Sequence, residues 1–283
     1  MRRRSCLSAP GSDERKLAKA ATSPADEVVV DLEDAVAVAE KERARAAVVD
    51  ALRSWNGPLV AVRVNAPGTP WCHADVAALS ELPELPHSIV LPKVEGPGDL
   101  AFADRLLAGV EAAAGRSEQI LVQALVETAA GLARVNEIAA ASARLEALVL
   151  GYADLAASLG GARALDAWLP AQHAVVVAAR AAGVQAIDGP HLGVGVDDAL
   201  QAAVERAREL GFDGKWAIHP AQLDALNEAF TPTADEIERA RAVLDALERA
   251  EREGGQGAVE LDGQMLDEAV RVAALRVLAR AET

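Results

Sequence analysis

Short apolar runs alternate along most of this chain with segments that repeat an apolar residue every third or fourth position. The runs read as buried strands and the segments as amphipathic helices. The first run, Arg4–Ser8, closes at Pro10-Gly11, and Ser12 or Asp13 caps the helical stretch DERKLAKAA. EVVVDLEDAV supplies a second strand over Val28–Leu32 with Asp31, Glu33 and Asp34 at its exit, then a helix from about Ala39 to Trp55. Pro58–Asn65 is the third strand, with Arg63 near its end and a helix running on through Leu79. SIVLPKV is the fourth; it places Lys93 and Glu95 at its exit, ahead of the helix Gly98–Ala114. ILVQALVET and LEALVLGYAD are the fifth and sixth, delivering Glu127 and Asp154. Helical segments fill Leu155–Ala182, broken at Gly160-Gly161 and Pro170. VQAIDGP is the seventh strand, ending at Asp188, with the helix Val196–Leu210 behind it. KWAIHP is the eighth, ending at His219, and AQLDALNEAF is its helix.

Eight strand–helix units in about 230 residues predict an α/β fold, a (β/α)8 TIM barrel, with its site at the C-terminal ends of the strands. A doubly wound sheet is the alternative. Against it, no Gly-x-Gly-x-x-Gly follows the first strand and no Gly-Lys-Ser/Thr phosphate loop occurs. In a barrel, Glu33, Asp34, Arg63, Lys93, Glu127, Asp154, Asp188 and His219 share one end. Residues 1–230 are therefore assigned to the barrel and 231–283 to a C-terminal helical extension or lid. The extension opens with a helix capped at Thr231 or Thr233 and crosses a connection containing Gly254-Gly255-Gln256-Gly257. It ends in QMLDEAVRVAALRVLAR, an amphipathic helix with Val270, Ala273, Ala274 and Val277 on one stripe. That stripe suits packing on the barrel, on another subunit, or a lid that closes.

Composition narrows the partners. The formal charge is −15, so no basic face is available for nucleic acid. No run is long enough to span a membrane. Cys6 and Cys72 fit neither a zinc site nor a disulfide framework, which points to a reducing compartment. The basic start MRRRSCLSAPGS lacks a following apolar signal region, so the expected location is cytoplasmic.

Glu127 and Asp154 stand 27 residues apart, about one helix plus one strand. Neighbouring strands lie about 4.8 Å apart, so acids at two adjacent strand ends can converge on one point. A hard cation such as Mg²⁺ uses one or two carboxylates and keeps waters or substrate oxygens at its other positions. The plain alternative is a pair of solvent-facing helix-capping acids. Arg63 suits a bidentate carboxylate clamp or a structural pair with Glu33 or Asp34. Lys93 reads as an ion-paired lysine, His219 as a hydrogen-bonded structural residue before Pro220, and the cysteines as small buried residues.

LSAPGSDERKLAKA, VVVDLEDAV, VRVNAPGTPW, VLPKVE, ALVETAAGL, LGYADLAASLG, AIDGP and GFDGKWAIHPAQLDALNEAFTPT together resemble the citrate lyase β-subunit-like family of the HpcH/HpaI aldolase superfamily. Malyl-CoA and citramalyl-CoA lyases belong to that superfamily. The resemblance covers nearly the whole chain. It implies a barrel with an added C-terminal segment, assembly as a homotrimer or a hexamer of trimers, and Mg²⁺. It also implies reversible cleavage of a hydroxyacyl thioester to acetyl-CoA and a 2-oxo acid. By that resemblance Glu127 and Asp154 bind the metal, with Glu127 also beside the substrate. Arg63 holds the 2-oxo acid carboxylate, and Glu33 and Asp34 stand close to metal-bound water. Asp267, in Gly263-Gln264-Met265-Leu266-Asp267, matches an acid/base aspartate of members with the full tail. Arg15, Lys16 and Lys19 either meet CoA phosphates or form a solvated helix face. The stretch HLGVGVDD departs from the more acidic pattern expected after Gly189-Pro190. Three other readings stay open: an acyl-carrier citryl lyase subunit, a class II pyruvate aldolase, and a binding subunit without turnover.

Overall fold

The computed structural model describes residues 2–82, 84, 86–161, 165–254 and 259–282. Its contacts divide the chain into two compact units, Arg3–Asn227 and a C-terminal unit beginning at Glu228.

In the first unit eight parallel strands close into a barrel in sequence order. They are β1 (Ser5–Pro10), β2 (Glu27–Asp31), β3 (Leu59–Arg63), β4 (Ser88–Leu91), β5 (Leu121–Val126), β6 (Leu145–Leu150), β7 (Gln185–Asp188) and β8 (Gly214–Ala217). Ser5 registers with Lys215, so β1 closes the ring on β8. The expected TIM barrel is the observed one. All eight strands contribute to one buried cluster: Cys6, Val29, Ala61, Val90, Leu125, Ala147, Val149, Ile187 and Trp216. Branched and small side chains fill a barrel of this size without leaving a channel.

Local chemistry sets where the helices begin. The Asp13 side chain accepts from Lys16 N and starts the helix Glu14–Ala21. Asp197 does the same for Asp198–Leu210, so that helix begins two residues later than the apolar pattern suggests. Pro170 does not break a helix. It occupies the first turn of Leu169–Ala182, where a missing N–H costs nothing. Among the described residues, the helix Tyr152–Leu159 and the 3-10 turn Leu165–Trp168 precede it.

The C-terminal unit holds the helix Ala234–Gly254, a hairpin of β9 (Val259–Leu261) and β10 (Gln264–Leu266), and the helix Glu268–Glu282. Thr233, not Thr231, starts the first helix, exchanging hydrogen bonds with Glu236 in a capping box. Gln264–Leu266 pairs as a strand, contrary to the helix expected from the sequence, because Asp262 and Gly263 at φ 52° and 78° make a tight hairpin turn. Gly255, Gln256 and Gly257 lie outside the described residues. The terminal stripe is Val270, Ala274, Val277 and Leu278, packed on Ala240, Val243 and Leu247, whereas Ala273 is exposed. Its partner is thus within its own unit.

Candidate active site

The segment Asp31–Asp34 leaves β2 and is tied to its own backbone. Asp31 accepts from Glu33 N at 2.8 Å and Ala35 N at 3.2 Å. Lys41, missed in the sequence, reaches back from its helix to donate to the carbonyls of Leu32 (2.8 Å) and Glu33 (2.7 Å). A lysine eight residues after an acid carries no pattern signal; only the fold brings it back. Burial pulls its ammonium below the ordinary range, against the nearby Asp31 and Glu33.

Arg63 ends β3 beside this segment. Its Nε and Nη2 take both oxygens of Asp31, at 2.8 and 2.5 Å. The structural partners are therefore Asp31, which the sequence reading did not single out, and Glu33, which it did, but not Asp34. The third nitrogen, Nη1, lies 3.1 Å from Glu33 Oε2. That contact lacks hydrogen-bond geometry, and Glu33 Oε2 is buried with no hydrogen-bond partner. The guanidinium sits 5.7 Å above the Trp216 ring. Desolvation acts to lower the Arg63 pKa, but Asp31 and Glu33 outweigh it and raise the value.

Glu127 follows β5 and is buried. Its Oε1 accepts from Lys93 N at 2.9 Å. Lys93 is held at φ 53°, a left-handed backbone that costs a non-glycine residue about 1 kcal/mol or more. Gly151 makes room on the other side: a Cβ there would stand 2.6 Å from Glu127 Cβ and 2.7 Å from Oε2. The Lys93 ammonium contacts Glu33 Oε1 and lies 3.4 Å from Asp34 Oδ2 and 3.8 Å from Asp154 Oδ1. Asp154 is not at a strand end as expected; it sits in the first turn of Tyr152–Leu159, half-exposed. Desolvation, with Glu33 and then Asp154 adding repulsion, pushes the Glu127 carboxyl up to about 8. Burial likewise raises Glu33, against the opposing pull of Arg63 and Lys93.

Glu33, Asp34, Glu127 and Asp154 thus gather around one lysine, with more negative charge than Lys93 and Arg63 neutralise. The donors are all carboxylate oxygens, and one buried oxygen has no hydrogen-bond partner. Such a set fits a hard divalent cation. Among the described residues no three His, Cys, Asp or Glu could by themselves hold an ion. An ion held by Glu127 and Asp154 would therefore keep positions for water and substrate.

The other predicted residues lie apart from this cluster. Asp188 is fully buried, paired with Lys215 at 2.5 Å and accepting from Tyr152 Oη, beside a cavity of about 410 Å³ lined in part by Trp168 and Leu192. His219 is exposed and accepts from Ala221 N, a structural turn. Arg15, Lys16 and Lys19 lie exposed on the helix after β1. Asp267 belongs to the C-terminal unit, where it is exposed and caps the last helix through Val270 N at 3.1 Å. Among the described residues no helix is long and apolar enough to cross a membrane.

The family described as HpcH/HpaI aldolase/citrate lyase matches residues 4–220. An L-malyl-CoA/beta-methylmalyl-CoA lyase of Rhodobacter capsulatus is 38% identical over 92% of this chain and 89% of that relative. A (3S)-malyl-CoA thioesterase of Cereibacter sphaeroides (strain ATCC 17029 / ATH 2.4.9) is 39% identical, over 99% of this chain and 94% of its own. Among solved structures, CitE from Mycobacterium tuberculosis in complex with magnesium, acetoacetate and coenzyme A superposes with a TM-score of 0.77. It is 32% identical and covers 99% of this chain and 98% of that one.

Proposed function

The chain belongs to the HpcH/HpaI aldolase/citrate lyase family, and we propose that it is a Mg²⁺-dependent carbon–carbon lyase acting on a hydroxyacyl-CoA of the malyl-CoA type. The reaction is reversible and yields acetyl-CoA and a 2-oxo acid. One observation carries the reading: Glu127 and Asp154, Arg63, and the acids Glu33 and Asp34 gather at the same end of the barrel around Lys93. The magnesium complex of the similar CitE structure supports the metal.

In cleavage the substrate hydroxyl loses a proton, the adjacent C–C bond breaks, and its electron pair passes to the thioester α-carbon, which then takes up a proton. Glu127 and Asp154 would hold Mg²⁺, which when bound supplies a Lewis acid at the substrate's oxygen. Arg63, braced by Asp31, presents Nη1 to the 2-oxo acid carboxylate. Glu33 and Asp34 accept the hydroxyl proton through water; Glu33 suits this because burial already raises its proton affinity. Asp267 exchanges the proton on the α-carbon, serving a neighbouring subunit of a homotrimer or hexamer. Its exposed carboxylate and its match to the family's tail aspartate support that role.

The deciding assay incubates purified protein with malyl-CoA and Mg²⁺ and follows every product. Acetyl-CoA and glyoxylate should appear, vanish with EDTA and return with Mg²⁺. Full activity after metal removal would refute the metal reading. Release of free CoA and malate alone would favour the second reading, hydrolysis, which the similar thioesterase makes specific. For Asp267, inactive Asp267→Asn and Glu127→Ala chains should regain partial activity when coassembled. No recovery in verified mixed oligomers would confine the aspartate to its own subunit or exclude it.

A further inference from the structure

We propose that Lys93 is a positioning residue built into the metal site: a tethered cation that gathers the carboxylates in the metal-free protein and competes with the incoming divalent ion. The inference rests on Glu127 and Asp154 being the metal ligands.

The geometry gives Lys93 two separate grips. Its backbone N–H fixes Glu127 Oε1 at 2.9 Å. Its ammonium contacts Glu33 Oε1 and reaches toward Asp34 Oδ2 at 3.4 Å and Asp154 Oδ1 at 3.8 Å. One residue therefore meets all four acids of the cluster. The left-handed backbone at φ 53° accompanies that double grip. A left-handed non-glycine residue persists only where its surroundings over-determine it, and here the contacts on both its ends do so.

Charge explains why a cation belongs there. Glu33, Asp34, Glu127 and Asp154 repel one another, and two of them are buried. Without a positive charge among them the cluster would spread or take up protons. An ammonium is a compact point charge on a flexible stem, with three donors and no fixed fork. It can hold several carboxylates loosely and give one up. Asp154, at 3.8 Å, is the loosest contact and belongs to the pair read as metal ligands. Glu33, the closest, is the contact Lys93 keeps when an ion draws Asp154 away. On this account Lys93 weakens metal binding through like-charge repulsion while keeping the site assembled for it.

The test titrates Mg²⁺ into EDTA-stripped, buffer-exchanged full-length protein by calorimetry and measures melting temperature in EDTA. Lys93→Met should bind Mg²⁺ roughly tenfold more tightly, because one positive charge beside a divalent ion is gone. It should also melt lower in EDTA. Lys93→Arg keeps the charge and should stay within about twofold of the wild-type Kd. A residue with a merely structural role would not tighten metal binding when removed. If Lys93→Met does not fold, Lys93→Gln is neutral and carries the same expectation. Unchanged or weaker Mg²⁺ binding in the folded neutral variant overturns the proposal and leaves the metal site standing. Absence of Mg²⁺ binding by the wild-type protein overturns both.

Discussion

At the N-terminal ends of the strands, Arg3 donates from Nε to Glu27 at 2.8 Å, from Nη1 to Gln185 at 2.6 Å and from Nη2 to Glu146 at 2.6 Å. Gln123 adds bonds to Glu27 and to Ser88, and His87 Nε2 stands 2.9 Å from Glu146. At the C-terminal ends, Arg63 and Lys93 face Asp31, Glu33, Asp34, Glu127 and Asp154. Both ends bury carboxylates beside an arginine. Only the first gives each carboxylate a close cationic partner. Desolvation raises Glu27, yet Arg3 and Gln123 oppose it, and at Glu146 burial is outweighed by His87 and Arg3, so that carboxyl falls below its ordinary range. At the other end negative charge is left over and Glu127 rises to about 8. A paired buried charge holds a structure in one arrangement, whereas a surplus stores affinity for something the chain lacks. The contrast separates the end whose charges are paired from the end that holds the proposed site.

The comparison makes opposite predictions for matched substitutions. Glu127→Gln keeps the side-chain shape and replaces a carboxyl that burial and the neighbouring acids already hold largely protonated near neutral pH. Its kcat should fall by about a thousandfold or more, while its melting temperature in EDTA stays equal or rises. A large loss of metal-free stability would break the contrast. Arg3→Met, at the paired end, should leave kcat near wild type and cost about 3–5 kcal/mol of stability, because the fully buried Glu27 loses its cation while Glu146 keeps only His87. Denaturant unfolding beside steady-state kinetics reads both quantities.

The smallest effect concerns pH. The Glu146 carboxyl is depressed in the folded state relative to its ordinary 4.5. Its stabilisation is therefore complete above that value and lost as pH falls through the folded value. Glu146→Gln should be less stable than wild type by about 1–2 kcal/mol at pH 7. The gap should close as pH falls below 4.5. A gap that is constant from pH 7 to pH 3 would show that the carboxylate's charge is not what stabilises this end.

The end that holds the proposed site was the more legible of the two in the sequence. Its acids follow apolar runs, and Glu33, Asp34, Glu127 and Asp154 each sit where a strand hands over to a helix. The paired end was not. Arg3 and Gln185 are 182 residues apart, and Glu27, His87, Glu146 and Gln185 stand at strand starts, where polar residues look like ordinary solvent-facing punctuation. One partner of Arg63, Asp31, was missed for a related reason, although Glu33 was named. Asp31 is the last residue of β2 and registers beside Arg63 across the sheet, whereas sequence spacing favours none of the three neighbouring acids over the others.

Hydrophobic period and turn residues were enough to determine eight strand–helix units and hence a closed parallel barrel, because burying one face of each element depends on local pattern. The family resemblance, carried by short motifs, named the proposed metal pair and the proposed substrate arginine. Tertiary structure alone decided which charges meet. It bound Asp31 to Arg63, returned Lys41 to the carbonyls of Leu32 and Glu33, and set Lys93 among four acids. It also fixed the proton affinity of Glu127, for the same physical reason. Desolvation and charge–charge interaction depend on distance and burial in three dimensions, and residues distant along the chain supply both.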